Sequence, residues 1–532
     1  MKRDDQDADE GSGPRSSTPP SSRVTPDDIR YENLRRAYNY RFIAKPDYFR
    51  LVHSPRQVEE AVREAVTAGK RITVRSRGHC GEDFVAAPDV EVILDLSPMS
   101  RVDYDRERNA FVIEAGAPVG KMLHTLFHNW GVTVPVGFCM GVGAGGHISG
   151  GGYGPLSRLL GLSVDHLYAV EVVVVDQDGN VSTVVATREE TDPNRDLWWA
   201  HTGGGGGNFG VITRYWMRSP EASGTEPAGL LPRPPGALHI AEVSWPWDRL
   251  TEADFVRLAG NFMDWQIANS AVDSADADLY ALLDCPHRSA GDITLHAHLP
   301  EEAPRAHARM DAFLAALDAG VGIAPAVRRT SLPWLAASQY LAVPETGPAA
   351  IGLRCKVKSA DLRAPHRPEQ LAALHRHLTR DDYRGTYAAV EYIAYGGRVN
   401  AVPSEATAIP RGALLKTFYM VTWKDPAEDD RHLRWIRELY RDMHRATGGV
   451  PVPDEVNTGA YINYADVDLA DPEWNTSGVP WHTLYYGDNY PRLQEVKAEW
   501  DPLDIFHHAL SISAPEAGRP ESGPRTTAQR EW

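Results

Sequence analysis

The run from Val136 to Arg158, VGFCMGVGAGGHISGGGYGPLSR, is so rich in glycine that it cannot fill a core with side chains. Its backbone N–H groups must approach something closely, and a row of convergent amides is a site for an anion, phosphate being the usual guest. The spacing excludes two common nucleotide fingerprints. No Lys-Ser/Thr pair follows the glycines, and no Gly-x-Gly-x-x-Gly opens a helix directly after a strand with an acid further on. Cys139, His147 and Tyr153 lie inside the run, three groups able to do chemistry on whatever the glycines hold.

A second stretch, Val74-Arg-Ser-Arg-Gly-His-Cys-Gly81, follows a well-marked helix and strand. Ser54 is a plausible N-cap, with Pro55 at the first helical position and Gln57 in the capping-box place. Val58, Ala61, Val62, Ala65 and Val66 then recur at helical spacing before Gly69, and a strand at Ile72–Val74 delivers His79 onto a loop. The two glycine-flanked stretches together resemble the bicovalent flavoenzymes of the vanillyl-alcohol-oxidase fold, specifically the berberine-bridge-enzyme-like family. Asp196-Leu-Trp-Trp-Ala-His201-Thr with five glycines and Asn208-Phe-Gly210, Gly459-Ala-Tyr461-Ile-Asn-Tyr464, and Phe506-His-His-Ala-Leu-Ser511-Ile extend the resemblance over residues 28 to 512. Within the family the look is that of glycopeptide hexose oxidases and tirandamycin oxidase. One departure is Arg77, where those relatives carry glycine. A long side chain there predicts φ below zero or strain, and a guanidinium able to reach a flavin phosphate.

The resemblance implies FAD attached through His79 and Cys139. A neutral imidazole nitrogen suits attack at the flavin 8-methyl position, and a thiolate suits attack at C6. Taken alone, Cys139 reads as a small buried apolar residue and His79 as a surface or capping histidine. Cys80, adjacent to His79, is the weaker competitor. The same resemblance assigns Arg75, Ser76, Arg77, Gly78, Gly141, Gly143, Gly146, His147, Gly151, Gly152, Gly207, Asn208, Tyr461 and Asn463 to the cofactor cradle. Tyr464 takes the base role with Tyr153 as its partner, and Tyr461 is read as structural. Val142, three residues after Cys139, is the oxygen gate. The plainer readings are that the tyrosines pack rings, that Val142 packs, and that the five glycines merely join a helix to a strand.

Composition sets outer limits. A chain of 532 residues exceeds one comfortable core. The net charge of −17 has acids and bases interspersed, which excludes a basic nucleic-acid footprint. The longest apolar runs are strand-sized, so no membrane span is expected. Four unpatterned cysteines point to a reducing compartment without structural disulfides, and the charged, Ser/Pro-rich N-terminus lacks an apolar signal region. The location expected is cytoplasmic and the assembly a monomer or homodimer.

The expected fold class is α+β, a two-domain vanillyl-alcohol-oxidase-type FAD-binding fold with an antiparallel-sheet substrate domain. Residues 1–27 are read as disordered, 28–222 as the FAD-binding domain, 223–455 as the substrate domain, 456–512 as a return segment packing on the FAD domain, and 513–532 as a disordered tail. Strands are expected at Val90–Leu96, Ala110–Glu114, Val132–Val136, Tyr168–Val175 and Val181–Val185, the last two a hairpin. In the second domain helices are expected at Glu252–Ser270, Glu302–Leu317 and Asp429–Thr447. No metal is expected: His53, His507 and His508 lack ligand spacing. The function expected is an FAD-dependent oxidase acting on a hydroxyl-bearing carbon of a sugar or antibiotic-type natural product. Hydride goes to flavin N5 and electrons go to dioxygen, giving peroxide. The alternatives are berberine-bridge-like oxidative cyclisation, for which Glu391 is the candidate carboxylate base, and a non-catalytic flavin- or ligand-binding protein.

Overall fold

A computed structural model describes residues 18–343 and 351–515. Three sheets carry the architecture. The first orders Ser22–Val24, Tyr48–Leu51, Val92–Asp95 and Ile72–Arg75, the last three mutually parallel. Pro55–Thr67 crosses over it as the helix the capping signals require: Ser54 Oγ accepts from the Gln57 N–H at 3.4 Å, and Gln57 Oε1 accepts from the His53 N–H at 2.8 Å. Ser22–Val24 corrects the expectation of disorder through residue 27. Val24 pairs with Phe49 and is fully buried beside Tyr31, Ala44, Val90 and Ile93, a cluster that only the tertiary fold assembles. Residues 1–17 and 516–532 lie outside the described residues.

The second sheet is antiparallel, ordered Val102–Asp105, Ala110–Glu114, Val211–Met217, Leu167–Val175, Val181–Thr187. The hairpin falls where Asp176–Asn180 places its turn, with Val175 opposite Val181. Val132–Val136 is not a strand. It is buried, but its N–H groups go to Pro232 and to the end of the preceding helix rather than to a ladder.

The third sheet has eight antiparallel strands, ordered Ala326–Pro333, Ala237–Trp245, Ile293–Pro300, Tyr280–Pro286, Tyr387–Ala394, Leu415–Trp423, Arg354–Leu362, Asn457–Gly459. Helices Glu252–Ala268, Ala306–Leu317, Pro368–Thr379 and Asp429–Met443 cover its back. The last shows why: Trp435, Ile436, Leu439, Tyr440 and Met443 are buried at helical spacing, while Asp429 and Asp430 sit at the positive N-terminal end. Two helix ends differ from expectation. Arg305 at φ 57° stops extension back to Glu302, and the last helix ends at Met443 before a separate turn at Arg445–Thr447. Because alternate residues face opposite sides of a strand, the front face presents Tyr280, Leu282, Asp284, Tyr387, Glu391, Phe418 and Met420. Most of these are only half-buried, which leaves the front of the sheet open toward the glycine loops.

Candidate active site

Three loops and one returning segment converge in front of that sheet. In the loop after Ile72–Arg75 the left-handed residue is Gly78, at φ 77°, and Arg77 is not among the described residues with positive φ. Arg77 is exposed, and its stem lies against Gly143, where an added Cβ would come within 2.8 Å of Arg77 Cγ and 1.9 Å of Ser76 Oγ. Ser76 Oγ donates to the Ala115 carbonyl at 2.6 Å, which fixes this loop against the end of the Ala110–Glu114 strand. Arg75, expected in the cofactor cradle, has its side chain engaged elsewhere. Its guanidinium is buried on Asp95 and the Leu34 carbonyl, so the side chain anchors the strand rather than reaching a cofactor.

Within the glycine run Ala144–Ser149 forms a short helix. Gly150 packs so closely on Asn463 that a Cβ would lie 2.1 Å from Asn463 Oδ1. Asn463 Nδ2 donates to the His147 carbonyl and to Tyr461 Oη, both at 3.0 Å, and Tyr461 Oη also accepts from the Gly152 N–H at 3.2 Å. His147 is held neutral, its pKa lowered by burial to about 4, and its Nε2 accepts from the Gly137 N–H at 3.4 Å. In the third loop Asn208 donates to the Gly204 carbonyl and accepts from the Ile512 N–H. The side chains of Ser76, Asn208, Tyr461 and Asn463 thus hold the loops to one another, leaving loop backbone to meet a ligand. Gly146 is the exception among these tight glycines. It is exposed, and a Cβ there would meet nothing within 4 Å. A cradle of close-set backbone with one open glycine fits a flat, phosphate-bearing cofactor.

His79 and Cys139 are each half-buried, and the Tyr38 ring stacks on His79 with centroids 5.0 Å apart. Cys80 is half-buried too, and desolvation pushes its thiol up to about 12, which disfavours the thiolate. Cys285 and Cys355 are buried and free.

Two of the hydroxyls expected to act together, those of Tyr153 and Tyr464, lie side by side. Tyr153 Oη and Tyr464 Oη are 2.5 Å apart, and with Tyr461 the rings meet edge-on in a triangle with centroids 5.2 to 6.1 Å apart. Lys416, paired with Asp361 at 2.7 Å, sets its ammonium 4.4 Å from the Tyr461 ring and 5.2 Å from that of Tyr153. Burial raises both tyrosines, but their contact acts in opposite senses, lowering Tyr464 and raising Tyr153. Either hydroxyl can donate across this contact, and its opposite senses favour charge on the Tyr464 oxygen over that of Tyr153. Tyr464 also lies within electrostatic reach of Cys139. Val142 is half-buried, its N–H on the Cys139 carbonyl at 3.3 Å and its own carbonyl accepting from Val119.

Sequence reading missed part of the site. Asp284 and Glu391 face each other across neighbouring strands, and Tyr387 Oη reaches both, at 3.3 and 2.9 Å. Glu391, considered as a base for ring closure, is thus tied to this pair rather than to the Tyr153–Tyr464 hydroxyls. An alternation count on Tyr387–Ala394 and Tyr280–Pro286 would have put both acids on one face, but not beside each other. On the back of the sheet, His239, Glu301 and His307 have potential metal-ligating atoms within 4.8 Å of one another; Glu301 accepts from Ser331, and His307 hydrogen-bonds to it. Among the described residues no helix is long and apolar enough to cross a membrane.

Comparison with known proteins shows what the chain is similar to. A family model for an FAD binding domain matches residues 46–184, and one described as berberine and berberine like matches 460–513. The chain is 49% identical over 490 residues to the aclacinomycin-N/aclacinomycin-A oxidase of Streptomyces galilaeus, covering 92% of this chain and 89% of that one. Among solved structures it resembles CrmK, a flavoenzyme of shunt product recycling in caerulomycin biosynthesis, at 69% identity and TM-score 0.93, covering 94% of this chain and all of the other. A glycopeptide hexose oxidase complexed with teicoplanin matches at 48% identity and TM-score 0.89 over 93% and 99% of the two chains.

Proposed function

The chain belongs to the berberine-like FAD-linked oxidoreductases, with an α+β fold of the vanillyl-alcohol-oxidase type, and on that premise we propose that it oxidises a hydroxyl-bearing carbon of a sugar moiety or antibiotic-type natural product. The 2.5 Å contact between Tyr153 and Tyr464, in front of an open sheet face, carries this reading. FAD, when bound, supplies the hydride acceptor and the route to dioxygen. Tyr464 takes the substrate hydroxyl proton as the carbon is oxidised, and the Tyr153 hydroxyl donates to the Tyr464 oxygen to stabilise the charge it must carry. Tyr461, tied to Gly152 and Asn463, holds the ring triangle in register. The names of the relatives, which act on aclacinomycins and on glycopeptide hexose, support the substrate class.

His79 and Cys139 are the residues that would hold FAD covalently. Two half-buried nucleophiles, each on a glycine-flanked loop, support the assignment. The sheets support a division into a cofactor domain to residue 222, a substrate domain to 455 and a return segment to 512, with Asn457–Gly459 adding the edge strand of the larger sheet. The test is whether colour survives acid precipitation. His79→Ala and Cys139→Ala should each keep one linkage and the double variant none, whereas complete release of flavin from denatured wild type would refute the linkage. Peroxide release on mixing with glycosylated natural products tests the oxidase reading.

A further inference from the structure

Resting on that reading of the sheet's front as the substrate side, we propose that Asp284 and Glu391 form a recognition site for a basic nitrogen on the substrate, an aliphatic ammonium or a pyridine-type ring nitrogen. Neither acid makes an ion pair with a Lys, Arg or His among the described residues; their shared polar partner is Tyr387 Oη. The buried carboxylates Asp95, Asp466, Asp468 and Asp501 are met by Arg75, Lys358 and Lys497, and half-buried Asp361 is met by Lys416. Two neighbouring carboxyls out of bulk water with no counter-ion are costly to ionise together. Burial raises Asp284 to about 7 and Glu391 to about 8, the latter pushed further by Asp284, so near neutral pH the pair holds a proton in the absence of a guest.

A second observation points at the same space. Tyr280 lies on the strand and face of Asp284, is 2% exposed, and its hydroxyl has no hydrogen-bond partner among the described residues. That hydroxyl lies within electrostatic reach of Glu391 and of Tyr464, on the face that carries both acids. Phe418 stands directly opposite Glu391 on the next strand, with the Tyr464 ring 4.4 Å from it. Carboxylates with aromatic walls suit a cation, by charge and by cation–π attraction. The remaining titratable neighbours supply no competing charge. His296 and His298 on the adjoining strand are kept neutral by burial, Cys285 points to the back, and the Lys416 ammonium is held by Asp361. An ammonium guest displaces the pair's proton to solvent, whereas a neutral ring nitrogen receives that proton from the carboxyl.

The test titrates flavin-loaded enzyme with benzylamine, 4-methylpyridine and benzyl alcohol at pH 7. It follows the flavin absorption band and counts protons by calorimetry in two buffers. A charge-assisted contact predicts binding about 10–100-fold tighter than for benzyl alcohol. Proton release with benzylamine identifies the ammonium as the guest. Tight 4-methylpyridine binding without release identifies the ring nitrogen. Asp284→Asn and Glu391→Gln should each erase the preference while benzyl alcohol still binds, with melting temperature and flavin content checking that both variants are folded. Equal affinity for all three probes, each perturbing the flavin, would overturn the nitrogen site and leave the proposed oxidase standing. No perturbation by any probe would instead remove this face as the substrate side, and the inference with it.

Discussion

Tyr464 and Tyr153 differ by one hydrogen bond seen from its two ends. Because the contact lowers Tyr464 and raises Tyr153, the two positions should not be equivalent in kinetics. Tyr464→Phe should slow flavin reduction about 10²–10⁴-fold in stopped-flow absorbance, with a much smaller effect on substrate binding, because the lost oxygen acts mainly in the transition state. Tyr153→Phe should cost less, and a Tyr464→Phe enzyme reduced at the wild-type rate would transfer the role to Tyr461. Val142 tests the other half-reaction. Its backbone is pinned on both sides, to Cys139 and Val119, and its chain neighbours Gly141 and Gly143 have no side chains to close the space beside it. Leucine adds one methylene to a close-packed site. Val142→Leu should therefore slow reoxidation by dioxygen strongly and leave reduction nearly intact, and equal reoxidation rates would remove the gate.

At the scale of elements, what was legible in the sequence was whatever a local pattern encodes. Pro55–Thr67 has its cap and periodicity, Ala110–Glu114 its apolar run, and Leu167–Thr187 its turn between β-branched stretches. Arg354–Leu362 was invisible for the opposite reason. Lys356 and Lys358 read as solvent-facing, yet they are buried because carboxylates from residues 82, 466 and 468 meet them. The short helix Ala144–Ser149 was hidden because glycine argues against helix. That helix makes its own test. Gly146→Ala meets no protein atom within 4 Å and replaces glycine by alanine inside a helix, so the protein itself should gain about 0.5–1 kcal/mol. If the exposed backbone there is where the cofactor lies, the added methyl group should lower the flavin-to-protein absorbance ratio while melting of the apoprotein stays level or rises. Full flavin loading in Gly146→Ala would move the cofactor away from this helix.

Across the whole molecule, the site exists only because distant segments are locked together, and the lock is a buried cluster of charges. Glu82 follows the loop that carries His79, Lys356 and Lys358 belong to the eight-stranded sheet, and Asp466 and Asp468 follow Tyr464 on the returning segment. Lys356 contacts Glu82 and reaches Asp466 at 2.7 Å, Lys358 bridges Asp466 at 2.6 Å and Asp468 at 2.7 Å, and Arg437 closes on Asp468 at 2.7 Å. The motifs around His79, Cys139 and Tyr464 were legible one at a time. Their juxtaposition was not, because it depends on pairings hundreds of residues apart that have no local signature. Removing one partner of such a cluster leaves uncompensated charge in the interior, so Lys356→Met should destabilise by about 3–5 kcal/mol and loosen the loop that carries His79 from the segment that carries Tyr464. The sign of its pH dependence follows from the acids left behind. Burial raises Glu82, and Lys356 is the main influence opposing it; against the same burial cost, Lys356 and Lys358 hold Asp468 well below its usual range. Without Lys356, Glu82 rises further, so it gives up folding free energy when ionised and recovers it when protonated, while the loss at Asp468, held below the usual range, stays constant until the pH drops below that range. The stability deficit of Lys356→Met, measured by denaturant unfolding, should therefore be largest near pH 8 and shrink as the pH falls toward 5. A deficit independent of pH would mean that the lysine stem, packed among the strands, matters to the lock and its charge does not.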